Sequence, residues 1–336
     1  MNGTVVRMDS RAAPVAGNPL VLDAAAEVTR IADTMREQAL KALRRRGAVV
    51  GLSGGIDSTV TAALAVKAFG SRKVLAVLMP EKDSDTESLR LGRMVADWLG
   101  IDSVVEDIEP ALTAMGCYAR RDDFIRRLVP EFDRGWGCKV VIGAGGKDGY
   151  NISHLVVQAP GGAPQKFRMP LDVYLGVIAA TNMKQRTRKQ IEYYHADRLN
   201  YAVLGTPNRL EYDQGFFVKN GDGAADVKPI AHLYKSQVYQ LAEHLGAPEE
   251  IRRRPPTTDT WSLAQSQEEF YFALPYAEMD LCLYGLNQGL PASVVAAMAG
   301  LAEEQVEGVW RDIAAKRRAT RYLHEGPLLV EPVSWA

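Results

Sequence analysis

Eight residues, Gly51-Leu52-Ser53-Gly54-Gly55-Ile56-Asp57-Ser58, lie between an apolar run, Ala48-Val49-Val50, and a helix-like run over 59–69. The pattern predicts a strand, a tight loop and a helix. Adjacent glycines let the backbone turn sharply and aim successive N–H groups at an anion, which also meets the positive end of the following helix. The hydroxyls of Ser53 and Ser58 add donors, and Asp57 is placed to hold a magnesium ion. Such a loop is expected to bind ATP through its phosphates. It lacks the lysine of a G-x-x-x-x-G-K-[ST] motif, so it is not the common site that grips the β and γ phosphates for γ-transfer.

The S-G-G-x-D-S order resembles instead the pyrophosphate-binding loop of the N-type ATP pyrophosphatases. That resemblance implies attack at the α-phosphorus, an acyl- or aryl-adenylate and release of pyrophosphate. A second constellation starts where Gly205-Thr206-Pro207-Asn208-Arg209-Leu210-Glu211-Tyr212 leaves a strand and enters a helix, the edge of a parallel sheet where α/β ligands bind. It continues through Gly215-Phe216-Phe217-Val218-Lys219-Asn220-Gly221-Asp222-Gly223-Ala224-Ala225-Asp226 and Tyr234-Lys235-Ser236-Gln237-Val238-Tyr239. With Asn182-Met183-Lys184-Gln185-Arg186-Thr187-Arg188 and Pro255-Pro256-Thr257-Thr258-Asp259, these segments resemble, in order, the signature of the NAD synthetase family. The similarity runs from about residue 25 to 285.

The resemblance implies a ligase that adenylates the nicotinate carboxylate of deamido-NAD and lets ammonia displace AMP. By the same matching, the Gly51–Ser58 loop holds the ATP phosphates, and Asp57 shares Mg2+ with Glu211. Thr206, Lys235 and Thr257 contact ATP, while Arg186, Lys219 and Asp226 hold the dinucleotide acid. The resemblance also implies a homodimer. The segment before Ser53 is too short for a nitrilase-like glutaminase domain, so ammonia is expected to be free or delivered by a separate glutaminase.

The residues themselves support these roles unevenly. A carboxylate at 211 near phosphate needs a cation between them; a solvated helix carboxylate is the competing reading. Phe216-Phe217 beside Lys219 could sandwich a planar ligand, and core packing explains the rings equally well. Turn chemistry explains much of the choice of Asp222 and Asp226. Arg186 and Arg188, two apart on a helix, point to different sides, so only one need face substrate. In the shorter bacterial members a His-Lys pair near the C-terminus reaches the substrate, whereas this chain has Thr320-Arg321-Tyr322-Leu323-His324-Glu325 there.

The elements around these residues read as α/β. The chain has 336 residues, and 47% hydrophobic content is ample for a core. Residues 1–20 read as a flexible leader. Val28, Ile31, Met35, Ala39 and Leu43 recur at helical spacing within 23–46. Strands at 73–79 and 103–107 alternate with a helix at 86–99, implying a doubly wound parallel sheet of the Rossmann-like, adenine nucleotide alpha hydrolase-like kind. Residues 116–168 read as an inserted helix and hairpin, with strands at 136–142 and 150–158 around the glycine-rich 143–149 loop. Helices follow at 171–199, 235–245, 275–287 and 302–322. The expected organisation is a leader, one domain over 21–290 and a helical extension over 291–336.

A net charge of −1 gives no electrostatic footprint for nucleic acid. Arg44-Arg45-Arg46 reads as cations at a helix C-terminus. Cys117, Cys138 and Cys282 lack C-x-x-C spacing, which argues against a zinc or dithiol centre and for reduced cytosolic thiols. No run approaches 18 apolar residues and no signal-peptide core is present, so the expected location is cytoplasmic, with no membrane partner. Three other readings use the same loop: amidation of a different carboxylate, adenylation of a tRNA base, and nucleotide binding without catalysis. The insertion and altered tail favour the first, the missing basic surface and C-x-x-C pair disfavour the second, and Asp57, Glu211 and Lys235 oppose the third.

Overall fold

The computed structural model describes residues 18–143, 152–257, 260–265, 271–272 and 274–334. Four short strands, β1 (Ala48–Gly51), β2 (Val74–Leu78), β3 (Asp102–Val105) and β7 (Ala202–Leu204), form a parallel sheet in the order β3-β2-β1-β7. β1, β2 and β7 are almost wholly buried and apolar, as expected when helices cover both faces of a parallel sheet.

On one face pack α1 (Ala24–Arg36), α2 (Ile56–Phe69), α3 (Thr86–Leu99), α8 (Lys235–His244) and α9 (Glu249–Arg253), through Val28, Ile31, Val60, Leu64, Val95 and Leu241. α2 is buried on nearly every side from Ser58 to Ala65, which explains its run of alanines and small polar residues. On the other face α6 (Leu171–Leu199) lays Ala196 and Ile191 against Val49, Leu75, Val77 and Val203. Asp85 caps α3 by accepting from Glu87 N, and Gly100 ends it in the left-handed region, so this helix has the bounds expected from the sequence.

The inserted segment holds more than a hairpin. After α4 (Glu109–Ala114) and α5 (Cys117–Arg126), strands β4 (Gly137–Gly143), β5 (Ile152–Gln158) and β6 (Gln165–Arg168) make a three-stranded antiparallel sheet. β6 escapes the sequence reading because Gln165-Lys166-Phe167-Arg168 is polar and mostly exposed. The sheet closes its own core of Ile125, Phe132, Val140, Leu155, Val177 and Trp261. The glycines at 144–149 lie outside the described residues. After α7 (Arg209–Gln214), a last core joins α10 (Tyr276–Gln288), α11 (Ala292–Ala299) and α12 (Glu303–His324) through Met279, Leu283, Val295, Val306 and Ile313.

Three expectations need revision. Residues 1–17 lie outside the described residues, but Leu20 is buried and its carbonyl accepts from Gln240 Nε2, so the packed body begins before residue 21. The first helix continues only as a π-helical turn, Glu37–Ala42, and Arg44 takes a φ of 53° beyond it. The arginine cluster is therefore a connector, with Arg45 donating to Asn200 Oδ1 at 2.8 Å, and not a helix terminus. The three cysteines are free and buried, and burial raises each thiol pKa.

Gly47 precedes β1 where the neighbouring chains converge. A Cβ there would stand 2.3 Å from Lys73 O and 2.7 Å from the Tyr201 ring. Gly47→Ala must therefore push the strands apart, and we expect it to destabilise the fold by about 2 kcal/mol. A urea midpoint equal to that of the unsubstituted protein would show that the strand ends have slack.

Candidate functional site

The phosphate loop forms as its sequence dictates. Leu52 N donates to Val77 O, tying the loop's first turn to β2. Gly54 has φ 73°, and a Cβ there would meet Leu91 Cβ at 2.6 Å and Ser88 O at 3.0 Å, so both conformation and contact demand glycine. Gly55 is the N-cap of α2, and its carbonyl accepts from Ser58 Oγ and Thr59 Oγ1. Ser53 Oγ lies 3.3 Å from Ser58 Oγ. The helix begins at Ile56, earlier than the sequence suggested, which puts Asp57 and Ser58 in its first turn.

Asp57 lies at the centre of a small charged cluster. One carboxylate oxygen pairs with Lys235 Nζ, and the other accepts from Asn208 Nδ2 at 3.2 Å. Asn208 N-caps α7 in a reciprocal box: Glu211 N donates to Asn208 Oδ1 at 3.2 Å, and Asn208 N donates to Glu211 Oε2 at 3.1 Å. Glu211 is thus buried and held, not a solvated helix carboxylate. Lys235 is fully buried at the start of α8. Burial opposes its charge, but Asp57 and Glu211 outweigh that and hold the ammonium above its usual pKa range. Asp280 accepts from Lys235 N at 3.1 Å and Ser236 N at 2.7 Å, fixing the start of α8; burial pushes its carboxyl up to about 6.

These groups open into one cavity of about 1390 Å3, larger than the usual single-ligand pocket. Its wall includes Gly51, Leu52, Ser53, Gly55, Ile56, Asp57 and Ser58 of the loop, then Thr206, Glu211 and Lys235. Thr257 lines it too, as do Arg186 and Lys219. Arg186 Nε donates to Lys219 O at 3.2 Å. Lys219 Nζ in turn donates to Tyr322 O and Glu325 O at 2.5 and 2.7 Å, engaging the C-terminal end of α12. Arg188 also reaches the cavity, in a different direction, and lies against Met79 O and Ser84 Oγ.

Asp226 departs from the expected arrangement. Its carboxylate accepts from Val203 N at 2.8 Å and Tyr193 Oη at 3.2 Å, and it is not part of the cavity wall. It ties the loop back to β7. Asp222 lines the cavity while accepting from Val218 N, so turn chemistry and access coexist there. Phe216 and Phe217 also do both jobs. Phe216 stacks on Tyr271 at 4.6 Å, and both rings reach the cavity. His324 sits edge-on to Tyr212 and Phe217 at 5.0 and 5.1 Å, away from the cavity lining, with its pKa lowered by burial and by Lys228.

Asn208 and Asp280 were not singled out in the sequence. The first had a legible signal, since Asn followed three residues later by Glu marks a helix start. A second buried network had none. Lys184, fully buried, pairs with Glu81 at 3.0 Å and Asp83 at 2.6 Å and donates to Thr260 O at 2.8 Å. Arg121 shares Asp83, and Tyr118 Oη donates to Glu81 at 2.7 Å. One ammonium thus joins α6, the loop after β2 and the segment approaching Trp261, all beside the cavity.

The sequence model of NAD synthase matches residues 27–128 and 167–321. An NH(3)-dependent NAD(+) synthetase of Rhizobium meliloti (strain 1021) is 68% identical over 329 residues, 98% of each chain. The chain belongs to the NAD synthase family. A more distant relative, the NH(3)-dependent NAD(+) synthetase of Thermotoga maritima, is 34% identical over 72% of this chain and 81% of its own. Two solved structures share the fold. The NMN synthetase from Francisella tularensis has a TM-score of 0.64 at 21% identity, covering 92% of this chain and 99% of that one. The NH3-dependent NAD synthetase from Campylobacter jejuni has a TM-score of 0.60 at 20% identity, covering 92% and 100%. The NAD synthase match passes over residues 129–166, which hold β4, β5 and the first half of β6.

Removing Lys184 leaves Glu81 and Asp83 buried with an incomplete counter-charge. Lys184→Met is expected to lower stability by about 3–5 kcal/mol, and Lys184→Arg by less. Chemical denaturation of the two variants checks this, and equal stability of both with the unsubstituted protein would contradict it.

Proposed function

We propose that the protein is an ammonia-dependent NAD synthetase, adenylating the nicotinate carboxylate of deamido-NAD and then amidating it. The observation that carries this reading is the Asp57, Asn208, Glu211 and Lys235 cluster at the mouth of a lysine-free phosphate loop, in one cavity with Arg186 and Lys219. A carboxylate oxygen attacks the α-phosphorus of ATP, and the bond to the β,γ-diphosphate breaks with its electron pair leaving on pyrophosphate. Ammonia then adds its lone pair to the acyl carbon, loses a proton, and AMP departs with the carboxylate's former oxygen.

The chain's own groups divide these tasks. Loop N–H groups and the N-terminus of α2 receive phosphate oxygens. Lys235, kept charged by its neighbours, lies beside the departing pyrophosphate, and Thr206 and Thr257 contact ATP. Arg186 and Lys219 hold the acid. We assign Asp226 to shaping the loop that carries Lys219. The rings of Phe216 and Phe217, with the end of α12, keep water from the adenylate.

The donor set also fits Mg2+. Two carboxylates against one ammonium leave the cluster negative where a triphosphate must arrive, a balance that a hard cation restores. No group of three or more His, Cys, Asp or Glu side chains is gathered to hold a metal among the described residues. That suits a cation held by one or two carboxylates and completed by substrate phosphates. Asp57 and Glu211 would hold it, and when bound it would neutralise charge on the pyrophosphate. We also propose a cytoplasmic homodimer that takes ammonia free or from a separate glutaminase. Exposed Leu171 and Leu175 on α6 support the dimer; among the described residues no helix is long and apolar enough to cross a membrane.

The test is AMP and NAD formation from MgATP, ammonium and deamido-NAD by the purified protein. Turnover with ammonium and none with glutamine is expected; ATP binding without deamido-NAD-dependent AMP release would transfer the chemistry to another carboxylate. Asp57→Asn and Glu211→Gln should each reduce pyrophosphate release at least about a hundredfold while the far-UV circular dichroism is retained. Near-normal release by either would remove that residue from the phosphate site.

A further inference from the structure

The segment that carries Thr257 is fastened on both sides. Before it, Arg254 donates to Asp85 Oδ2 at 3.0 Å and to Ser88 Oγ at 3.2 Å, at the start of α3. That turn of α3 packs on the phosphate loop, since a Cβ on Gly54 would stand 3.0 Å from Ser88 O. After it, Lys184 donates to Thr260 O at 2.8 Å, and Trp261 is buried in the core of the inserted sheet. Thr257 and Thr260 both line the cavity, and extended chain spans at most about 11 Å between positions three apart.

Residues 262–265 then follow the outer side of β4. In the order β4-β5-β6 this is an edge strand, and an edge leaves backbone groups that need partners. Cys138 N donates to Ser262 Oγ at 2.9 Å, Leu263 N donates to Cys138 O at 3.3 Å, and Gln265 Nε2 donates to Val140 O. Lys139 Nζ adds a bond to Ala264 O at 3.0 Å. Gly137 makes room for the approach: a Cβ there would stand 2.4 Å from Leu263 Cδ2 and 2.8 Å from its Cγ. The NAD synthase match covers 260–265 but passes over β4, so the segment is shared with the family while the edge that holds it is not part of the match. A wall that orders only on binding subtracts its ordering entropy from the affinity, whereas one held beforehand does not.

We propose that the inserted sheet is a positioning device for the nucleotide side of the site: β4 and Lys184 hold residues 260–265 in place before ATP arrives, and so fix Thr257 on the cavity wall. This rests on the reading that Thr257 meets ATP. Gly137, Ser262, Leu263 and Gln265 act through that wall, so loosening them weakens nucleotide binding and leaves the chemical steps to the charged cluster around Lys235.

The experiment measures KM for ATP, KM for deamido-NAD and kcat in the full chain, in Gly137→Ala, in Gly137→Ala combined with Leu263→Ala, and in Ser262→Ala combined with Gln265→Ala. Deuterium uptake by residues 260–265 without nucleotide is followed in the same proteins. Gly137→Ala and the Ser262, Gln265 pair should each raise KM for ATP about tenfold, with kcat and KM for deamido-NAD kept within about threefold. Leu263→Ala removes the atoms that the new Cβ meets, and should return KM for ATP in Gly137→Ala to within about threefold of the unsubstituted value. Uptake should be slow in the unsubstituted protein and faster in the two loosened variants. The Ser262, Gln265 variant leaves β4 unaltered, so it remains informative should Gly137→Ala fail to fold. A KM for ATP unchanged within about twofold in both loosened variants overturns the positioning role while leaving the proposed activity standing. So does a segment that exchanges freely without nucleotide and is protected only once MgATP is added. Absence of AMP release with deamido-NAD in the unsubstituted protein overturns the proposed activity, and the exchange measurement then decides the positioning role by itself.

Discussion

The structure depends on keeping one ammonium, that of Lys235, charged although its side chain is buried. Asp57, in the first turn of α2, supplies the direct counter-charge, and Glu211, in the first turn of α7, adds to it. Lys235 itself opens α8, whose first amides are capped by Asp280. Three helices thus begin around one point, and that requirement fixes where the parallel sheet must deliver its chain ends. A carboxyl edge where strands feed helix N-termini is the arrangement a parallel α/β sheet supplies. Breaking one partner would strand the others, because a buried charge without its counter-ion is far costlier than the pair.

What could be read from the sequence was what depends on near neighbours along the chain. The phosphate loop follows from glycines and hydroxyls within eight residues, and α3 and α6 follow from apolar spacing and their terminal residues. The helix-capping role of Asn208 was legible in the same way. The Lys184 network was not, since its partners come from positions about a hundred residues earlier and some eighty later, and no local pattern marks a lysine for burial. Asp226 shows a different limit. Its place in a shared motif suggested ligand contact, whereas the structure spends the carboxylate on Val203 N and Tyr193, a use that a motif does not distinguish from binding.

The insertion is joined to the parallel-sheet body through one continuous helix. It closes its own small core, and its last strand passes directly into α6, which continues unbroken to the phosphate loop. Because α6 is a single helix, the position of the inserted sheet is set against the loop by backbone geometry and not by side-chain contacts alone. Trp261 and the backbone bond of Leu263 N to Cys138 O anchor the opposite wall to the same sheet.

The three cysteines bear on how the protein meets oxidants. Cys117, Cys138 and Cys282 are each no more than 1% exposed, and burial raises their pKa values, that of Cys282 to about 11. Oxidants and electrophiles react with thiolates, so these sulfurs present almost nothing to attack. Peroxide or alkylating reagents would have to wait for local opening of the fold, and the phosphate loop and its charged cluster contain no sulfur at all. The nucleophilic sulfur of this chain is thus kept apart both from solvent and from the groups that surround the phosphate loop.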